Sequence, residues 1–284
     1  MPPAIDDVSF PLFGKGATAR IDDRLPLRLL ALCGCTLHSG WQGTDLSAPT
    51  WRIYCNLDEG AEAHLGRQRL PFAARQLYVI PAWLPWTAAC CGRVRHLNAM
   101  LDLPSLPRER VRSACRSIVC VAGPEDPLTT SWLHLAADLA ATATAGPALQ
   151  ARGLELTWAV LARYLHHLGP AAEALLPTTR DRALEHLCAW IDTHLGEPLP
   201  RARLAHEAGC SEAALARRFA SSLGTSPATW IRQRRVARTS DLLRSTDLSL
   251  EEIAQRCGFA DRSRLTRVFT ELVGCPPARW RRNG

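Results

Sequence analysis

The chain has 284 residues, 47% hydrophobic and 21% charged, a balance that suits folded globular domains and excludes wholesale disorder. Its formal net charge is +7, and residues 178–284 hold 18 arginines against 12 acidic residues, so nearly all of the excess lies in the last third and points to an acidic partner there. No stretch offers about 18 uncharged apolar residues, which argues against a membrane-spanning helix. The opening MPPAIDDVSF also lacks the basic and apolar regions of a secretion signal, so a cytoplasmic protein is expected.

Residues 1–125 contain short apolar runs broken by Gly, Pro and Asp: LPLRLLALCGC, TWRIYCNLDEG and RQLYVIPAWLPW. Runs of this length between turn signals predict strands, and a series of them predicts a β-sandwich or barrel. Pro81 and Pro85 are expected at strand ends, where a missing N–H does least harm. The eleven cysteines are odd in number and include no C-x-x-C pair, which predicts reduced thiols. Neither Cys33/Cys35 nor Cys90/Cys91 has a spacing diagnostic of a thiol or metal sensor, and His38, His64 and His96 form no H-x-H motif, so neither metal nor cofactor is expected.

From Pro127 the pattern becomes helical, and 126–176 is expected as a helical linker and dimerisation segment. In LELTWAVLARYLHHLG, Leu154, Trp158, Leu161, Leu165 and Leu168 recur at steps of four, three, four and three, one stripe on a helix. Packing against the chain's own β domain and a seam with a second copy both fit that stripe. GPAAEALLPTTR, 169–180, reads as a hinge, and the amphipathic RDRALEHLCAWIDTHLG opens a C-terminal domain over 177–284.

That domain repeats itself. Leu215, Arg217, Phe219, Gly224, Pro227, Ala228 and Trp230 return fifty residues later as Leu265, Arg267, Phe269, Gly274, Pro277, Ala278 and Trp280. Each copy predicts a helix, a tight turn at Gly209–Ser211 or Gly258–Asp261, and a second helix capped by Ser211 or Asp261. Ser249 and Glu252 have the spacing of a capping box at the start of the second copy. Ala205 and Ala254, four residues before each glycine, are small enough for two helices to cross closely. This is the grammar of a helix-turn-helix, present twice.

In each second helix the residues Leu215 and Phe219, or Leu265 and Phe269, share a buried face. Arg217 and Arg267 lie two residues away, roughly 200° around at about 3.6 residues per turn, and so point outward. Ala213 and Ala216 share that outer face in the first copy; Arg262, Ser263 and Thr266 share it in the second. Arginine with small or hydroxylated neighbours fits the DNA major groove, where Arg bonds guanine and Ala or Thr touches a thymine methyl. ATWIRQRRVARTSDLLRST between the copies predicts one helix, with Arg232, Arg234 and Arg235, and beside the recognition positions Arg218 and Arg264, expected on phosphates.

LAHEAGCS, LARRFASSLGTSP, LEEIAQRCGF and LTRVFTELVGCPPARWR resemble the DNA-binding domain of the AraC/XylS family of bacterial transcription regulators. The resemblance implies two helix-turn-helix units on a linker helix, an N-terminal cupin-like β domain that binds a small-molecule effector, and a helical segment that forms homodimers. It implies double-stranded DNA and RNA polymerase as partners, activation as the commoner role, and base reading by Ala213, Ala216 and Arg217 in the first unit and Arg262, Ser263, Thr266 and Arg267 in the second. Ala214, Arg264 and Leu265 stand where the family often has aromatic residues, and Pro200 where the first opening helix should start. YCNLDEGAEAHLGRQRLPFAARQLYVIPAWLPWTA is similar to the family's sensor strands, with Trp83, Trp86 and His96 as candidate pocket residues. The expected fold class is therefore α+β and the expected function a non-enzymatic regulator. Two alternatives are an effector-independent regulator whose N-terminal half dimerises or binds protein, and a cupin enzyme with an appended DNA-binding domain.

Overall fold

A computed structural model describes residues 25, 27–39, 41, 43–141, 146–175 and 181–283. Two antiparallel sheets form the N-terminal part. Strands β1 (Arg28–His38), β3 (Trp51–Asn56), β6 (Leu77–Ile80), β8 (Arg93–Asp102) and β9 (Val119–Ala122) make sheet A in the order β1-β8-β3-β6-β9. Strands β2 (Gly43–Leu46), β4 (Ala61–Leu65), β5 (Gln68–Pro71) and β7 (Trp86–Cys90) make sheet B in the order β2-β7-β4-β5. Pro81 follows the end of β6 and Pro85 precedes the start of β7, so neither interrupts a ladder.

The period of two in β3 and β8 decides what each face of sheet A meets. Arg52, Tyr54 and Asn56 pair with Met100, Asn98 and His96, and those with Cys33 and Cys35 of β1, placing all of them on one face. Tyr54 meets Phe72 and Trp86 there, so this is the inner face, toward sheet B. On the outer face Trp51 packs edge-on to Tyr164 of the long helix α3 (Pro147–Leu168), at 5.7 Å. Gly153 of α3 brings the helix within reach of Leu29 and Leu32 of β1. Helices α1 (Arg108–Ala114), α2 (Pro127–Ala140) and the single turn α4 (Pro170–Glu173) complete this part.

The stripe expected on α3 divides. Gly153, Leu156, Thr157, Val160, Leu161 and Tyr164 are its buried residues, so Leu161 belongs to the chain's own core and not to a seam. Leu165 and Leu168 pack half-buried against that core, whereas Leu154 and Trp158 stay 39% and 36% exposed. At 100° per residue the stripe drifts around the cylinder, and the sheet claims its leading edge.

The C-terminal part is helical: α5 (Arg182–Thr193), α6 (Arg201–Glu207), α7 (Glu212–Arg218), α8 (Pro227–Ser245), α9 (Leu250–Arg256), α10 (Arg262–Val273) and α11 (Pro277–Asn283). Pro200 is no obstacle, because it caps α6 from outside. Around the first unit Leu184, Leu187, Ile191, Leu204, Leu215, Phe219 and Trp230 form a separate core, while the core of the second unit runs on into the β domain.

Candidate nucleic-acid interface

Each unit is built by its own local signals. The Ser211 hydroxyl accepts from the Ala214 N–H at 3.2 Å, and the Asp261 carboxylate from the Arg264 N–H at 2.6 Å, fixing where α7 and α10 begin. Ser249 and Glu252 form the reciprocal capping box at the start of α9. Gly209 and Gly258 take left-handed φ values of 59° and 73° between the helices of each unit. At Gly258 the reason extends beyond the turn: a Cβ there would lie 2.2 Å from the Leu195 carbonyl oxygen and 2.6 Å from the Arg235 guanidinium. The second unit's turn thus seats directly on the end of α5, which belongs to the first.

On these frames Leu215, Phe219, Leu265 and Phe269 are at most 1% exposed. Ala213, Ala216 and Arg217 are exposed on α7, and Arg262, Ser263, Arg264 and Arg267 on α10; Thr266 is half-buried and its carbonyl accepts from the Thr270 hydroxyl. The two helices differ in one respect. α10 runs unbroken to Gly274 at φ 88°, whereas α7 passes into a π-type turn, Phe219–Leu223, before Gly224 at φ 65°.

The expected phosphate set separates. Arg264 is exposed, Arg218 lies 3.6 Å from Asp181 and Arg232 lies 3.1 Å from Glu271, both at the surface. Arg234 corrects the expectation. Its guanidinium is buried and clamped by four bonds, to Asp102 of β8 at 3.2 and 2.8 Å and to Asp192 of α5 at 2.8 and 3.0 Å. It therefore ties the β domain to the linker helix and offers nothing to a phosphate in this conformation. Arg235 is also spent internally, its guanidinium donating to the carbonyls of Leu195 and Glu197 at 3.0 and 2.8 Å. Other ties flank the Arg234 clasp: Gln233 donates to Glu109 at 3.1 Å, Arg28 lies 3.4 Å from Asp192, and the Ser47 N–H donates to the Val273 carbonyl at 3.1 Å.

The candidate pocket residues do not share one place. Trp86 and His96 belong to an inner-face cluster with Trp41, Tyr54 and Phe72. His96, 3% exposed, donates from Nδ1 to Asn56 Oδ1 at 2.7 Å, and burial, then the charge of Arg52, pushes its pKa down to about 4. Trp83 instead turns at φ 63° toward the domain boundary, where Arg108 covers its ring at 5.3 Å. There it lines a void of about 20 Å³ with Trp51, Asp102, Trp230 and Arg234, room for roughly one water. Sequence reasoning missed Asp102, Asp192 and Arg52. Only Arg52 carried a local signal, as a cation alternating with Tyr54 and Asn56 inside an apolar run.

Two helix-turn-helix units joined through one helix, each presenting a capped second helix with outward arginines, define a tandem helix-turn-helix DNA-binding domain. Residues 204–283 match the family model described as helix-turn-helix domain. The transcriptional activator RhaR of Escherichia coli (strain K12) is 30% identical over 127 residues, 45% of this chain and 45% of that relative, so the match spans under half of RhaR's length. The chain belongs to the AraC/XylS family of transcriptional regulators. Among solved structures, ToxT from Vibrio cholerae O395 aligns with 89% of this chain and 97% of its own at 9% identity and a TM-score of 0.56, a likeness of fold. The DNA-binding domain of AdpA, solved with a target DNA, is 35% identical over 35% of this chain and 90% of its own, with a TM-score of 0.35.

Proposed function

We infer that the protein regulates transcription by binding specific double-stranded DNA through α7 and α10. The observation that carries this is the repeated segregation of each recognition helix: apolar residues sealed on one side, Arg217 or Arg267 exposed on the other. The first unit reads with Ala213, Ala216 and Arg217 and the second with Arg262, Ser263, Thr266 and Arg267, so the second makes the larger share of base contacts. Arg218, Arg232 and Arg264 supply phosphate contacts, Arg232 after exchanging Glu271 for DNA. The name of RhaR supports activation as the role, with RNA polymerase as the partner.

The two-sheet N-terminal part serves, in this reading, as a cupin-like sensor over 1–125, with 126–176 as the dimerising segment ahead of the DNA-binding domain over 177–284. The exposed pair Leu154 and Trp158 supports pairing of two copies along α3. Selection of bound genomic fragments provides the operator. Arg267→Ala is then expected to weaken operator binding by about 1–3 kcal/mol while leaving random duplex nearly unaffected. Equal loss on both duplexes would reduce Arg267 to a phosphate contact and refute its base-reading role.

A further inference from the structure

We propose that the inner face of sheet A binds an organic carboxylate, with Arg52 and Arg244 meeting its oxygens and Trp86 and Tyr54 flanking its apolar body. The proposal rests on the reading of the N-terminal part as a sensor and adds the chemistry of what is sensed.

Facing sheets normally enclose apolar side chains. Here the inner face carries Arg52, Asn56, His96 and Asn98 in adjacent register rows, with Cys33 and Cys35 beside them. Arg52 is 8% exposed and has no carboxylate partner among the described residues. Its guanidinium lies 5.9 Å from the Trp86 ring and 5.3 Å from the Trp280 ring, makes one long bond from Nη1 to the Tyr54 hydroxyl at 3.4 Å, and leaves Nε without a partner. Asn56 Nδ2, Asn98 Oδ1 and Arg244 Nε are likewise buried without partners. Orphaned buried polar atoms are rare in folded proteins, and four around one face mark a place built for something else.

Three of the four orphans are donors, so the missing partner is an acceptor. Arg244 reaches this face from α8: it contacts the Met100 sulfur, and Met100 is the register partner of Arg52. Asp241 pairs with Arg244 at 3.2 Å, yet burial and then the neighbouring Arg52 still lower the Arg244 pKa, as expected of two cations held together around too little negative charge. His96, held neutral, adds no competing charge. A carboxylate only accepts, matches the guanidinium fork and compensates both cations. The aromatic rings of Trp41, Tyr54, Phe72 and Trp86 select an organic body over a bare anion. Access is open, because Cys33 and Cys35 lie on this inner face and are nevertheless exposed. The occupant would touch both domains, since Arg244 sits on the linker helix and Trp280 on α11.

The test uses the full chain with benzoate and hexanoate, their uncharged amides as controls, and mass-spectrometric rates of alkylation at each cysteine. Either carboxylate should slow alkylation of Cys33 and Cys35 at least fivefold and leave the exposed Cys91 and Cys120 unchanged, while the amides do nothing. Arg52→Met and Arg244→Met should each raise the half-protecting concentration at least tenfold, and Arg52→Lys should restore part of it. Three results would overturn the site: protection by the amides equal to that by the acids, unchanged affinity in both methionine variants with wild-type circular dichroism, or no protection by either carboxylate at millimolar concentration. Duplex binding is measured on the same preparation. Its retention without any carboxylate effect rejects the site alone, and its absence beside a carboxylate effect rejects the regulator reading alone.

Discussion

Asp102→Asn isolates the part of the Arg234 clasp that crosses between domains. The wild-type guanidinium holds Asp102 through two bonds, at 3.2 and 2.8 Å, with side-chain exposures of 10% for Arg234 and 11% for Asp102. Removing one partner of so buried a pair costs about 3–5 kcal/mol. Asn preserves shape and one acceptor, and Arg234 keeps Asp192, so the expected loss is smaller, about 2–3 kcal/mol. Arg234→Met strands both carboxylates and should reach the full ~3–5 kcal/mol. Once Arg234 is gone, Asp102→Asn removes nothing further, so the double variant should match Arg234→Met to within about 0.5 kcal/mol. Equilibrium urea unfolding, followed by circular dichroism and tryptophan fluorescence together, gives these differences. Additive effects, or an Asp102→Asn variant within about 0.5 kcal/mol of wild type, would show that the clasp does not hold the domains.

Gly258→Ala should be far worse than a routine helix-cap substitution, because it combines a strained positive φ with a clash against the Leu195 backbone; a loss under about 1 kcal/mol in the same urea assay would contradict the close seating of the two units. Asp241 has its pKa raised to about 6 by burial, so its ionisation disfavours the folded state, and that contribution to stability is fully present below about pH 4 and lost as pH rises through 6. Asp241→Asn should therefore gain on wild type by about 2 kcal/mol between pH 4 and pH 7.5, and a difference that stays constant across that window would refute the assignment. Trp158→Glu should shift sedimentation from dimer to monomer without lowering the monomer's helix content, whereas an unchanged dimer would exclude α3 as the pairing surface.

The recognition helices were legible in the sequence because every signal that builds them is local. Ser211 caps three residues ahead, Ser249 and Glu252 cap each other across three, and the glycines act where they stand. The fate of Arg234 was not legible, since its partners Asp192 and Asp102 lie 42 and 132 residues away and nothing on α8 distinguishes it from its neighbours. Trp83 and Trp86 show the same limit at short range. They stand three apart, but the positive φ at Trp83 sends one ring to the domain boundary while β7 sends the other inward. On α3 the heptad spacing was real, and what it left open was which edge the sheet would cover. That depended on the small Gly153, which lets β1 approach one side of the helix and leaves Leu154 and Trp158 on the other.

The two units are not held alike, and this constrains how any signal from the β domain can travel. The first has a core of its own and meets the β domain chiefly through Asp192 and the linker helix α8. The second shares a continuous apolar core with it, donates the Val273 carbonyl as an acceptor for Ser47, and places Trp280 against Arg52. Because close-packed interiors shift as units, a displacement of β3 relative to β8 must carry α11 and the end of α10 with it. The same displacement reaches α7 only after Arg234 has moved against two carboxylates. A change on the inner face of sheet A would therefore reorient α10 first, the helix on which Arg262, Arg264 and Arg267 are exposed, and alter the spacing between the two recognition helices rather than switching both together.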